Sequence, residues 1–338
     1  MHDVRAMPDR LATYLSLLDR TTGGAARTAT VRTYEPIVGG YSRLMARADI
    51  EWSDGTTETV VLRGDPPPGK SMMETNRDTE FALLSALDGL VRMPGARCYD
   101  DTGAHLGTKC IVLEHVAGPS LQQLLDQADA ASGYHPHLTD LVDTMASLHT
   151  LDTATLTGVL DQPDDWDGYI GRLIDRFRQA DAAHVESVPF LRYVAAWLDA
   201  HRPAPLPLRL VHSDFQPANI MVAHTGEHHV IDWELAHIGD PREDLGYYNV
   251  YSSARGPNLY MADPETFLAR YRERTGFGED AVNTETMGYF SSLAAITVYA
   301  QVLAGAGAMA VGANAGLMTT YTLNALTVGH NNFMKGCT

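Results

Sequence analysis

The chain has 338 residues, 45% of them hydrophobic and 20% charged, and a formal net charge of −17. That length suits two domains or one two-lobed unit, and the composition is that of an ordinary soluble globular protein. The absence of a Lys/Arg run against so acidic a balance argues against nucleic acid and against anionic membrane surfaces as partners.

Three cysteines, Cys98, Cys110 and Cys337, lack metal-ligand spacing and fit a reducing cytoplasm, and MHDVRAMPDR at the N-terminus has no apolar signal core. Pro8–Arg20 sets Leu11, Tyr14, Leu15 and Leu18 at helical spacing, with Asp9 in the first turn. Residues 31–50 read as strand, turn, strand about Val38-Gly39-Gly40-Tyr41-Ser42, with Leu44, Ala46, Ala48 and Ile50 sharing one face. A glycine pair at a hairpin tip lets backbone N–H groups approach a phosphate. Asp54-Gly55 marks a turn, and Thr57–Gly64 is the next strand, with Arg63 at its end. DPPPGK is a stiff loop carrying Lys70, a second cation near this end of the sheet. A helix over Thr75–Leu87 puts Glu80 on the side of Leu83, Leu84 and Leu87.

Arg97–Tyr99 and Lys109–His115 read as strands, after which Ser120 is a helix N-cap. Helices follow over His137–His149, Asp165–Ala180, Pro189–His201 and Pro264–Thr275; the last has Asp263 as N-cap, proline at its first position and Gly276 just past its end. From Thr286 to Met334 there is no Asp, Glu, Lys or Arg. The stretch is Ala/Gly-rich, carries Gln301 and Asn314, and is interrupted by Gly305, Gly307 and Gly312. It predicts two buried helices packed through small residues rather than a membrane span. A homodimer interface is the other use of such a surface.

The chemistry is concentrated in residues 208–233, LRLVHSDFQPANIMVAHTGEHHVIDW. Short apolar runs, Leu208–Val211 and Ile220–Val222, flank HSDFQPAN, which places His212, Asp214 and Asn219 on a loop. A turn over His224–His229 leads to Val230-Ile231 and then Asp232. A carboxylate and a carboxamide oxygen are hard ligands suited to Mg²⁺ shared with substrate phosphates. Asp214 is then left to orient or deprotonate a hydroxyl. His212 reads as a loop-holding histidine, since Asp214 is better placed for a hydroxyl proton. His224, His228 and His229 sit on a turn without partner spacing and read as solvated rather than as zinc ligands.

HSDFQPANIM followed by VIDWELAHIGDPREDL resembles the aminoglycoside phosphotransferase-like family, and more narrowly the bacterial branch related to the kinase-like domain of acyl-CoA dehydrogenase 10/11 proteins. The matching positions are His212, Asp214, Asn219, Asp232, Trp233, Glu234, Gly239, Asp240, Pro241, Asp244 and Leu245. The resemblance implies a two-lobed, protein-kinase-like α+β fold. A nucleotide-binding lobe with an antiparallel sheet and helices would span residues 1–115, and a mostly helical catalytic and acceptor-binding lobe residues 116–338. It implies ATP and Mg²⁺ in the cleft, with Asp214 catalytic, His212 in structural support, and Asn219 and Asp232 on the metal. It further implies Gly39, Gly40 and Ser42 over the phosphates, Arg63 on the α/β-phosphates oriented by Glu80, and adenine against the backbone near Glu114, His115 and Val116. His149 in A-S-L-H is mostly structural in that family.

The acceptor is expected to be a small-molecule hydroxyl: an antibiotic, a hydroxyacyl thioester or a metabolic alcohol. Tyr247, Tyr248, Tyr251 and Tyr260 line that site or pack in helical core, and GTP stands beside ATP as a donor. The competing reading is a non-catalytic nucleotide-binding protein of the same fold, whose mark would be loss of Asp214, Asn219 or Asp232. Acyl transfer or hydrolysis lacks a G-x-S-x-G elbow.

Overall fold

The computed structural model describes residues 6–21, 26–37, 44–65, 76–128, 135–183, 189–255 and 257–310. In chain order the first elements are α1 (Met7–Thr21), β1 (Ala29–Pro36), β2 (Leu44–Trp52), β3 (Thr57–Gly64), α2 (Arg77–Leu87), β4 (Ala96–Asp100), β5 (Cys110–Glu114) and α3 (Leu121–Gln127). Then come α4 (His135–His149), α5 (Trp166–Ala183), α6 (Pro189–Ala200), β6 (Arg209–Val211), β7 (Ile220–Val222), β8 (His228–Val230) and β9 (His237–Gly239). The chain goes on through α7 (Arg242–Arg255), α8 (Leu259–Ala262), α9 (Pro264–Thr275) and α10 (Thr284–Ala310). They divide into two compact units, Met1–Gly118 with Ala223–Glu234, and Pro119–Val222 with Leu235–Thr338.

The first unit is a five-stranded sheet in the order β1-β2-β3-β5-β4, every neighbour pair antiparallel. The predicted alternation in β2 holds: Ala46, Ala48, Ile50 and Trp52 are buried, while Met45, Arg47, Asp49 and Glu51 are half-buried. Gly55 makes the β2–β3 turn at φ +87°, its N–H donating to the Trp52 carbonyl. One core joins Leu11 and Leu15 of α1 to Ile50, Val60, Leu62 and Val112 of the sheet. Ala223–Glu234 belongs with this unit because Val230 N–H donates to the Arg92 carbonyl at 2.9 Å and Arg92 pairs with Glu227 at 3.3 Å. The expected turn is present there, with Gly226 at φ +85° and Ala223 N–H on the Glu227 carbonyl. One expectation fails on it. His228 is buried rather than solvated, because it opens β8 and alternates inward with Val230. Among the described residues no group of three or more His, Cys, Asp or Glu could hold a metal ion by itself.

The second unit is mostly helical. In α4 all five residues of the predicted stripe, Leu138, Leu141, Val142, Met145 and Leu148, are buried. Ile170 and Ile174 of α5, Val194 and Leu198 of α6, and Phe290 and Leu293 of α10 form its main core. β6 pairs antiparallel with β9, Leu210 opposite Ile238. Ser120 caps α3 with a full capping box, Asp263 caps α9, and Gly276 ends α9 in the left-handed conformation, all as expected. The stretch expected as two helices starts as one: α10 runs 27 residues, through Gly305 and Gly307, and residues 311–338 lie outside the described residues. A glycine costs a helix only about 1 kcal/mol relative to alanine, too little to end one set among strong helix formers. Among the described residues no helix is long and apolar enough to cross a membrane.

Candidate active site

In the first unit the functional side chains meet at the end of β3. Arg63 lies on a strand flanked on both sides, opposite Met45 of β2 and Ile111 of β5, which fixes its backbone. Its side chain is 5% exposed. Nε lies 2.9 Å from Glu80 Oε1, and Nη2 lies 2.5 Å from Asp232 Oδ1 and 3.3 Å from Glu234 Oε2. Glu80 stands in the first turn of α2, where the helix N-terminus favours a carboxylate. Asn76 caps that helix through the N–H groups of Asp78 and Thr79. Sequence reasoning missed Arg77. Its side chain is fully buried, it donates to Glu80 Oε2, and its Nε lies 3.2 Å from Asp65 Oδ1. The only signal was its i,i+3 spacing to Glu80, which reads equally well as an exposed helix-start pair.

Asp232 sits at φ +71°, a backbone conformation costly for a side-chain-bearing residue and frequent at functional sites. Its side chain keeps 27% exposure beside a nearly closed Arg63. Among the described residues two guanidinium groups (Arg63, Arg77) pair with four carboxylates (Asp65, Glu80, Asp232, Glu234).

In the second unit the loop that carries Asp214 follows β6. Among the described residues Ser213 is the other positive-φ residue without a glycine's freedom, at +66°. The strain is held by Asp244 of α7, fully buried, whose two oxygens accept from His212 N–H and Ser213 N–H at 2.8 Å each. Burial opposes the charge on Asp244, but the His149 ring, the nearby His212 ring and the His212 backbone N–H together hold its carboxyl below the usual range. His149 Nε2 lies 3.1 Å from Asp244 Oδ2, and its Nδ1 2.7 Å from the Tyr271 hydroxyl. The His212 ring is fully buried, and its Nδ1 accepts from Asp214 N–H at 3.3 Å.

Asp214 Oδ1 accepts from Gln216 Nε2 at 2.7 Å and from the Tyr247 hydroxyl at 2.6 Å. Its Oδ2 accepts from Asn219 Nδ2 at 2.6 Å, and the same amide reaches the Asp214 carbonyl at 3.0 Å. With its nitrogen turned to Asp214, Asn219 presents its amide oxygen, the atom that would ligate a cation. The tyrosine run splits. Tyr248 and Tyr260 are buried in core, while Tyr247 reaches Asp214 and stacks on Tyr251 with centroids 4.1 Å apart. Burial, then Tyr251 and Asp214, raise the Tyr247 hydroxyl well above its usual range, so it keeps its proton and donates.

The G-D-P-x-x-D motif is structural around its glycine. A Cβ on Gly239 would lie 2.4 Å from the Tyr169 hydroxyl and 2.6 Å from Glu243 Oε1. Asp240 accepts from Trp166 Nε1 at 2.6 Å and pairs with the buried Arg242 at 2.6 Å, which fixes the start of α7. In the first unit Glu114 N–H and His115 N–H are engaged by the Gly95 and Thr59 carbonyls. Gly39, Gly40, Ser42 and Lys70 lie outside the described residues.

A sheet unit with a buried Arg–Glu pair and a helical unit with a strapped aspartate loop define a kinase-like α+β chain. The particular family is the phosphotransferase enzyme family: its profile matches residues 33–283, and the chain belongs to it. Acyl-CoA dehydrogenase family member 11 of Rattus norvegicus is 31% identical over 206 residues, 58% of this chain and 25% of the relative. The chain thus spans about a quarter of the length of that curated relative. Two solved structures share the fold. Macrolide 2′-phosphotransferase from Brachybacterium faecium has a TM-score of 0.62 at 20% identity, covering 93% of this chain and 97% of that one. The GDP complex of aminoglycoside 2′-phosphotransferase-IIIa has a TM-score of 0.61 at 15% identity, covering 96% and 100%.

Proposed function

We propose that the chain transfers the γ-phosphate of ATP, with Mg²⁺, to a hydroxyl of a small molecule in the cytoplasm. The observation that carries this reading is the arrangement of Asp214: one carboxylate strapped by Tyr247, Gln216 and Asn219 on a loop whose backbone Asp244 grips twice. A nucleotide-binding scaffold has no use for so fully oriented a carboxylate.

In this reading Asp232 and Asn219 hold Mg²⁺, which when bound neutralises charge on the phosphates. Arg63, aimed by Glu80, leaves Asp232 for the α/β-phosphates, and Glu234 at 3.3 Å steadies it on the way. Val116 offers the backbone donor for adenine, since those of Glu114 and His115 are used within the unit. Gly39, Gly40 and Ser42 cover the phosphates. Asp214 orients the acceptor hydroxyl and takes its proton as the oxygen attacks the γ-phosphorus and ADP leaves. His212 holds the loop from beneath. A loose transition state leaves little covalent work to the protein, so positioning and electrostatics supply most of the rate. The acceptor classes to be tested are hydroxyacyl thioesters, antibiotics and small alcohols.

Calorimetric titration of Mg-ATP and Mg-GTP into the wild-type chain and Asp232→Ala tests the nucleotide part. Mg²⁺-dependent binding lost in Asp232→Ala is expected; binding unchanged in that variant moves the metal elsewhere.

A further inference from the structure

Among the described residues three side-chain donors hold the Asp214 carboxylate. Gln216 and Asn219 belong to its own loop, whereas Tyr247 comes from α7, 33 residues on. Two residues one helical turn apart on α7, Asp244 and Tyr247, therefore hold the catalytic loop twice: Asp244 by its backbone and Tyr247 by its carboxylate. That helix is itself pinned. A Cβ on Gly246, between the two, would lie 2.3 Å from the Phe290 backbone of α10, so α7 and α10 are in direct backbone contact. Tyr251, four residues on, stacks against the Tyr247 ring at 16° and limits its swing.

We infer that Tyr247 is a positioning residue of the reaction: with Gln216 it holds Oδ1 of Asp214 and so fixes the rotation of the carboxylate that meets the acceptor hydroxyl. A carboxylate oxygen has two lone pairs, and both on Oδ1 are taken by donors at 2.6 and 2.7 Å. A regular helix holds such a group more tightly than a loop does. The inference rests on the phosphotransferase reading, and it adds a residue that the sequence motif does not contain.

The test is release of inorganic phosphate from Mg-ATP by the full chain with water as acceptor, for wild type, Tyr247→Phe and Tyr248→Phe, alongside thermal unfolding. Tyr247→Phe keeps the stacked ring and loses one hydrogen bond to a charged group, which lowers kcat by about tenfold to a hundredfold. KM for ATP and the unfolding midpoint stay near wild type. Tyr248→Phe does the reverse, because its hydroxyl accepts the Leu259 N–H in the core and touches nothing at Asp214. If Tyr247→Phe does not fold, Gln216→Met reads the same oxygen from the loop with the same expectation. Wild-type kcat in Tyr247→Phe overturns the inference, as does a loss matched by lost ATP affinity or lost folded protein. A wild-type chain that releases no phosphate from Mg-ATP overturns the phosphotransferase reading, and this inference with it.

Discussion

At Asp244 a fully buried carboxylate serves three donors, two backbone N–H groups and a histidine ring. Burying such a charge costs several kcal/mol, while each hydrogen bond to it returns about 1.5–3 kcal/mol. The arrangement is favourable only with all three in place. Asp244→Asn offers one acceptor oxygen where two are needed, and is expected to destabilise the chain by about 3 kcal/mol. The carboxyl is held below its usual range, so its folded value lies under its unfolded one. Its contribution is present in full above the ordinary carboxylate range and is lost as pH falls through the folded value, below about pH 4. Urea midpoints over a pH series should fall more shallowly there in Asp244→Asn than in wild type; parallel curves would remove Asp244 from the acid transition. At Asp214 the expected outcome is different: Asp214→Asn keeps ATP affinity and loses turnover by about a hundredfold or more, checked by titration and steady-state kinetics on one preparation.

The elements were largely legible because period and punctuation agree. β2 alternates, the α4 stripe repeats at helical spacing, and Asp263, Pro264 and Gly276 mark both ends of α9. The candidate site was legible where a motif carries it, at Asp214, Asn219 and Asp232, and at Arg63 with Glu80. What stayed hidden depends on tertiary packing. Arg77 reads as a surface charge until α2 docks and closes over its side chain. Tyr247 cannot be told from Tyr248 until α7 is oriented, since adjacent helix positions point to different sides. His228 was misread because turn composition says nothing about which strand residue faces inward. Two helix predictions follow. Gly246→Ala gains about 1 kcal/mol of helix propensity, but its methyl group meets the Phe290 backbone, and such overpacking costs about 1–3 kcal/mol. A net loss of stability in urea is expected; a more stable variant would show that α7 and α10 can separate. Arg77→Met leaves Glu80 buried with half its pairing, which costs about 3–5 kcal/mol and should weaken ATP binding through Arg63.

Across the whole chain the two units carry different parts of one proposed reaction. The first holds Arg63 paired with Glu80 and Asp232. The second holds Asp214 and Asn219 on a loop gripped by α7. The net charge of −17 comes with no Lys/Arg run, and none of it falls between Thr286 and Met334. The measurement to make is Mg²⁺-dependent ATP consumption by the purified chain against antibiotics, hydroxyacyl-CoA thioesters and small alcohols, with Asp214→Asn in parallel. Consumption stimulated by one acceptor class and abolished in Asp214→Asn is the predicted result. Consumption that persists in Asp214→Asn, or ATP that does not bind even with Mg²⁺, would contradict it.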